Sequence, residues 1–138
     1  MTSEYKKPLP NPYNREATSP FWEGAKQHVL KLPRCTKCGQ VFFYPREACP
    51  ACLSTGFDWF QASGKGRLYS YTVIHQPANP AFGAEAPYIF AMVQLDEGPR
   101  MVSNLVGCAI EEAKVDMPVV AVYEDITPDW TLVKFKPA

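Results

Sequence analysis

Residues 34–52 read RCTKCGQVFFYPREACPAC and carry four of the chain's five cysteines, Cys35, Cys38, Cys49 and Cys52. They form two C-x-x-C pairs separated by ten residues. A C-x-x-C turn can aim two sulfurs at one point. Two such turns facing each other complete a tetrahedron of thiolates around one ion, with metal–sulfur bonds near ~2.3 Å. The spacer is shorter than the common template of roughly 15–20 residues, but QVFFYPREA can span it as a tight hairpin. Gly39 follows the first pair, where such a turn often needs positive φ. Leu53 takes the equivalent place after the second pair, so that turn is expected to be less regular. Four thiolates leave no coordination position for a water, so the ion is expected to be structural rather than catalytic. It can contribute about 10–16 kcal/mol of binding free energy to a module too small to fold otherwise. Zinc is the expected ion; iron in the same tetrahedral sulfur geometry is less favoured.

The cluster divides the chain. Around it, HVLKLPR, VFFYP and FDWFQ read as three strands of a metal module over residues 28–60. Downstream, GRLYSYTVIHQ, YIFAMVQLD, RMVSNLVG, VVAVYEDIT and WTLVKFK are rich in Val, Ile, Tyr, Phe and Thr and are separated by Gly, Pro or charged breaks. AIEEAKV, a short helical or turn segment, lies between the third and fourth. Five short strands with one helical element after the third is the layout of an OB-type Greek-key barrel over residues 61–138. Upstream, residues 1–18 are polar and proline-rich and read as an extended arm. In TSPFWEGAKQ, Ser19 suits an N-cap, Pro20 the first helical position and Glu23 the first turn, giving a short helix ending near Gln27 within a segment 1–27. The fold class expected is therefore mainly β: a short N-terminal helix, a four-cysteine zinc ribbon and a five-stranded OB-type barrel.

The 138 residues amount to about one domain, and a hydrophobic content of 46% suffices for a core. Charges balance at 14 against 14, so the molecule as a whole has no pull toward polyanions. They are unevenly spread: residues 1–60 carry eight Lys/Arg against five Asp/Glu, residues 61–138 six against nine. Single-stranded nucleic-acid binding, the alternative for an OB-fold, needs a positive groove with stacking aromatics. The aromatics are present, but the barrel segment is the acidic half, which argues against it. The start has no apolar signal region, and no run approaches the roughly 20 apolar residues of a spanning helix. A cytoplasmic location, where thiols stay reduced, is expected; it makes paired cysteines metal ligands rather than disulfides.

Catalytic patterns are missing. There is no G-x-G-x-x-G, Walker loop or H-E-x-x-H. Cys108 reads as a buried thiol, His75 lacks a partner, and Asp96 and Glu97 read as turn residues. Two features exceed what stability needs: the long loop PANPAFGAEAP at 77–87, and the aromatic residues Phe21, Trp22, Tyr69, Tyr71 and Tyr88. These are core and sheet surface, or an apolar contact surface for a partner or flat ligand.

Taken in order, PFWEG, LPRCTKCGQVFFYPREACPAC, SGKGRLYSYTVIHQP, PYIFAMVQLDEG, NLVG and MPVVAVYED closely resemble a known family. It is the acyl-CoA-associated family with a rubredoxin-like zinc ribbon followed by an OB-fold, once known only as a domain of unknown function. The likeness runs from about Ser19 to Ala138. It implies a non-catalytic accessory subunit in a hetero-oligomer with a thiolase-like protein, a thiolase or aldolase, meeting acyl-CoA through the complex and helping to shape its site. The partner would supply the catalytic Cys and His. By analogy with related complexes the interface falls on Phe21, Trp22, Tyr69, Tyr71, Phe82 and Tyr88. On the basic ribbon side, Lys26, Lys31, Arg34, Lys37 and Arg46 form a solvated face, the better reading residue by residue, or meet CoA phosphates. Two positions depart from the family's pattern: Leu53, and Asp116 before Met117, both where glycine is usual.

Overall fold

The computed structural model describes residues 7–12 and 15–138. Helix α1 (Arg15–Lys26) leads into a two-stranded ribbon, β1 (Lys31–Cys35) and β2 (Phe57–Gln61). Five strands follow: β3 (Lys65–Ile74), β4 (Tyr88–Leu95), β5 (Arg100–Leu105), β6 (Pro118–Asp125) and β7 (Thr131–Pro137). The part of the expected arm at residues 1–6, 13 and 14 lies outside the described residues. Residues 7–12 form neither helix nor strand.

The helix starts earlier than Ser19. Ser19 and Pro20 lie inside it, so neither opens it. Pro20 forfeits one backbone N–H there. The helix is held instead by its inner face, where Phe21, Gly24 and Ala25 are buried. A Cβ at Gly24 would sit 2.6 Å from Lys31 Cγ, so the glycine lets helix and ribbon approach closely. The helix ends in a Schellman turn: Val29 N donates to Gly24 O at 3.0 Å and His28 N to Ala25 O at 2.9 Å. His28 holds the left-handed position at φ 62°, where glycine is the usual residue.

In the ribbon, β1 and β2 pair antiparallel from Lys31↔Gln61 to Cys35↔Phe57. The strand expected at VFFYP does not form; only a single bridge, Arg34↔Val41, remains. The cause is a competing tertiary demand. Phe43 leaves the ribbon to pack on Phe21, ring centroids 5.3 Å apart, and the Tyr44 hydroxyl accepts the Val102 N–H of the barrel at 2.9 Å.

The barrel is closed in the order β3-β4-β5-β7-β6, the OB arrangement expected from the strand count. A register shift between Leu68 and Ser70 bends β3, whose first residues, Lys65–Arg67, also pair with β6. The period of two is plain in β4, where Ile89, Ala91, Val93 and Leu95 are buried. Their cluster includes Leu68, Leu105, Val119 and the fully buried Phe135, and it runs on into Phe21, Leu30, Leu32 and Ala62. Helix, ribbon and barrel thus share one core. The element after β5 is only a 3-10 turn, Ile110–Glu112. Its following residue, Ala113, is buried and accepts a hydrogen bond from the Tyr71 hydroxyl at 3.1 Å.

Candidate metal centre and its surroundings

Each cysteine pair closes its own turn, and the two turns match bond for bond. Gly39 N donates to Cys35 O at 3.0 Å, and Leu53 N to Cys49 O at 2.9 Å. Cys35 N donates to Gln40 O at 2.9 Å, and Cys49 N to Ser54 O at 2.8 Å. Backbone N–H groups also point at sulfur: Lys37 N and Cys38 N at Cys35 Sγ, and Ala51 N at Cys49 Sγ, at 3.3–3.5 Å. The expectation that Leu53 makes the second turn less regular therefore fails. Leu53 adopts φ 66° beside Gly39's 78° and keeps the same geometry at the expense of its own backbone comfort. Asp116, the other departure, is likewise left-handed at φ 74°.

The turns bring four sulfurs together. Cys35 and Cys52 Sγ lie 3.6 Å apart, as do Cys38 and Cys49, and all four fall within 4.8 Å of one another. A tetrahedron with ~2.3 Å metal–sulfur bonds needs sulfurs about 3.8 Å apart, so the donor set fits one ion. A disulfide would need about 2.05 Å, which these pairs do not approach. The electrostatics agree. The N–H of Cys38, with that of Lys37, draws the Cys35 thiol down to about 6 against the opposing effect of burial. At Cys38 the Gln40 N–H pulls downward, but desolvation and the three neighbouring sulfurs prevail and push the thiol up to about 12. Against burial, the N–H groups of Cys52 and Ala51 lower the Cys49 thiol as well. Cys38 is the one held up, and full ionisation of the cluster calls for a cation. The four cysteines are positioned for a metal.

The aromatic residues singled out in the sequence do not gather on one face. Phe21 is only 8% exposed and belongs to the core, and Tyr71 turns its hydroxyl inward to Ala113. Trp22 is half-buried, edge-on to Trp130 at 5.0 Å. Tyr69 is exposed beneath the Arg100 guanidinium, 3.8 Å from its ring centroid. Phe82 lies in the 3-10 turn Pro80–Glu85 with Lys7 over its ring, and Lys7 also pairs with Glu85. Tyr88 is half-buried at the start of β4. Cys108 is half-buried against the core, and burial, then Glu112, raises its thiol above the ordinary value.

One constellation was not evident in the sequence. His28 Nε2 lies 3.0 and 3.1 Å from the two Asp125 carboxylate oxygens, 97 residues away. Its ring stacks on Tyr123 at 5.2 Å. Thr131 Oγ1 donates to the same carboxylate at 2.5 Å. The hydrogen bonds from Thr131 and then His28 hold the Asp125 carboxyl below its ordinary value. A carboxylate–His pair does exist, then, but it ties the helix end to β6 and β7. No local pattern announces it, because the partners meet only once the barrel has closed.

Two family models match the chain. Residues 22–58 match the family described as the ChsH2 rubredoxin-like zinc ribbon domain, and residues 59–124 the ChsH2 C-terminal OB-fold domain. The chain is 41% identical over 110 residues to a DUF35 domain-containing scaffold protein of Methanocaldococcus jannaschii, covering 78% of this chain and 77% of that one. It is 44% identical over 119 residues to a probable enoyl-CoA hydratase alpha subunit of Thermomonospora curvata. That match covers 86% of this chain but only 37% of the hydratase subunit, so the chain spans little more than a third of that relative. A solved Ltp2-ChsH2(DUF35) aldolase contains a chain that superposes with a TM-score of 0.82 at 40% identity, covering 92% of this chain and 98% of that one. With its paired C-x-x-C turns feeding directly into a five-stranded closed barrel, this chain belongs to the ChsH2-type DUF35 family, in which a rubredoxin-like zinc ribbon precedes an OB-fold.

Proposed function

We propose that the chain is a non-catalytic accessory subunit of a thiolase- or aldolase-type complex acting on acyl-CoA, which stabilises its partner and helps shape the acyl-CoA site. The observation that carries this reading is the superposition on nearly the full length of a chain from an aldolase assembly, at 40% identity. The donor chemistry supports it. Cys35, Cys38, Cys49 and Cys52 hold a structural zinc, favoured over iron by the match to a zinc ribbon. Four sulfur ligands complete a tetrahedral shell, so the ion activates no water. Reduced thiols fit a cytoplasmic setting. The partner or acyl-CoA interface is assigned to Phe21, Trp22, Tyr69, Tyr71, Phe82 and Tyr88; Trp22 reaches the surface edge-on to the buried Phe21, and Tyr69 is exposed.

The test is co-purification of the tagged chain from its native host, with identification of whatever accompanies it by mass spectrometry. A thiolase-like protein in stoichiometric amount is the expected result. Recovery of RNA without such a protein would reverse the reading in favour of nucleic-acid binding. Turnover of an acyl-CoA by the purified chain alone would remove the word accessory.

A further inference from the structure

The barrel is not sealed evenly. Strands β5 and β7 meet through one residue pair, Leu105↔Phe135, where Val106 N donates to Phe135 O at 2.8 Å. Ahead of that pair, side chains close the seam. Ser103 Oγ donates to Val133 O at 2.7 Å, and the Tyr44 hydroxyl takes the Val102 N–H. Over the seam lies a cleft of about 730 Å³, walled by α1, by the loop Phe43–Glu47 and by the facing parts of β5 and β7. That volume suits a small molecule.

The lining states what would be bound. Phe21, Trp22, Phe43 and Leu132 present apolar surface, while the Ser103 hydroxyl donates to the seam and the Tyr44 hydroxyl oxygen accepts there. On the rim, Lys134 is neutralised by Glu124 at 2.6 Å, and Glu47 is engaged within the chain. Arg46 differs. Its Nε donates to Tyr44 O at 3.1 Å, and among the described residues neither terminal nitrogen has a partner. An apolar cleft with one spare guanidinium is complementary to an amphipathic anion. The wall bearing Arg46 hangs between Cys38 and Cys49, so the metal cage fixes it at both ends.

We propose that this cleft binds the aliphatic or aromatic body of an amphipathic anion, with Arg46 at its charged end, and that the cage formed by the four cysteines holds the cleft in shape. The cleft shares Phe21 and Trp22 with the interface proposed above, so the binding is tested on the single chain without a partner. The experiment uses the full-length, zinc-loaded protein titrated with decanoate and with 1-decanol, each read by displacement of anilinonaphthalene sulfonate. Saturable, one-to-one displacement is expected. Leu132→Trp, which fills the cleft, should weaken both ligands at least about tenfold. Arg46→Gln should weaken decanoate about tenfold and decanol less than about twofold. Circular dichroism checks that both variants keep the fold. Chelation of the zinc should abolish displacement while the β signal of the barrel persists. Three results would overturn the proposal: unsaturable binding, as when the cleft is instead a protein partner's seat; equal loss of both ligands in Arg46→Gln; or full affinity in folded Leu132→Trp or in the zinc-stripped chain.

Discussion

Leu53→Gly should make the protein more stable, although it removes a large apolar side chain. Leu53 is 75% exposed, so truncation surrenders little buried surface. Its φ of 66° sets its Cβ against the following carbonyl, a conformation that costs an L-residue roughly 1–2 kcal/mol. Glycine relieves that strain but gains freedom in the unfolded chain, which returns roughly 0.4–1 kcal/mol. The net expectation is a gain of about 0.5–1 kcal/mol. The first turn supplies the reciprocal test. A Cβ at Gly39 would meet nothing within 4 Å, so Gly39→Ala carries the backbone cost alone and should lose about 0.5–1 kcal/mol. His28 is the control. It shares the left-handed backbone at φ 62°, but its ring stacks on Tyr123 and meets Asp125. His28→Gly trades those contacts for the same relief and should gain less than Leu53→Gly.

The assay is equilibrium urea unfolding read by tryptophan fluorescence, since Trp59 lies in β2 within the ribbon. Free zinc must be buffered at one value throughout, because anything that binds only the native state raises apparent stability. Comparison at constant m-value isolates stability from compactness. If Leu53→Gly proves destabilising while Gly39→Ala is neutral, the matched-turn argument is wrong and the leucine side chain makes a contact that stabilises the fold.

Gly66→Ala should be severely destabilising, by about 1–3 kcal/mol or more, because its Cβ would lie 2.4 Å from Gln94 O in a packed strand pair; expression yield and thermal melting would show it. Phe135→Ala, at a fully buried position, should cost about 3–5 kcal/mol in urea unfolding. Removing the metal should raise hydrogen exchange at the amides of β1 and of residues 41–48 while those of β4 stay protected, and equal loss across the barrel would contradict a cage that acts through the ribbon. The Asp125 carboxyl is held below its ordinary 3.8, so it contributes stability above that value and loses it as pH falls through the lowered one. Asp125→Asn should accordingly flatten the decline in stability on the acid side in a pH series, and an unchanged acid limb would refute the assignment.

What could be read from the sequence was the chemistry that repeats at short range. Two C-x-x-C pairs define four converging sulfurs whatever lies between them. The Val, Ile, Tyr and Phe content of YIFAMVQL marks β4 as a strand, and in the barrel its alternate residues Ile89, Ala91, Val93 and Leu95 face inward. The misreadings share one physical origin. VFFYP has strand propensity, yet Phe43 and Tyr44 are drawn away by Phe21 and the Val102 N–H. Ser19-Pro20 has the chemistry of a helix start, yet the helix begins at Arg15 and tolerates Pro20 inside, because Phe21, Gly24 and Ala25 bury its inner face. The His28–Asp125 pair spans 97 residues and depends on barrel closure. Local propensity lost in each case to contacts that exist only in the assembled fold.

The strand β1 explains why cage and barrel cannot be independent. It has five residues, and alternation sends Leu32 to one face and Cys35 to the other. Leu32 is fully buried in the cluster that includes Leu68 and Phe135, while Cys35 is 1% exposed in the sulfur cage. Three residues of extended chain leave little slack, since side chains in a close-packed interior settle into discrete positions rather than sliding continuously. A displaced cage must therefore either drag Leu32 within the core or break the β1–β2 pairing at Cys35↔Phe57. The second course is the cheaper, because it gives up pairing at one end of a two-stranded ribbon, whereas the first opens a void beside Leu68. The ribbon thus acts as a compliant joint. On loss of an ion held by the four cysteines, the barrel should persist while the loop between Cys38 and Cys49, and the cleft wall it forms, should not.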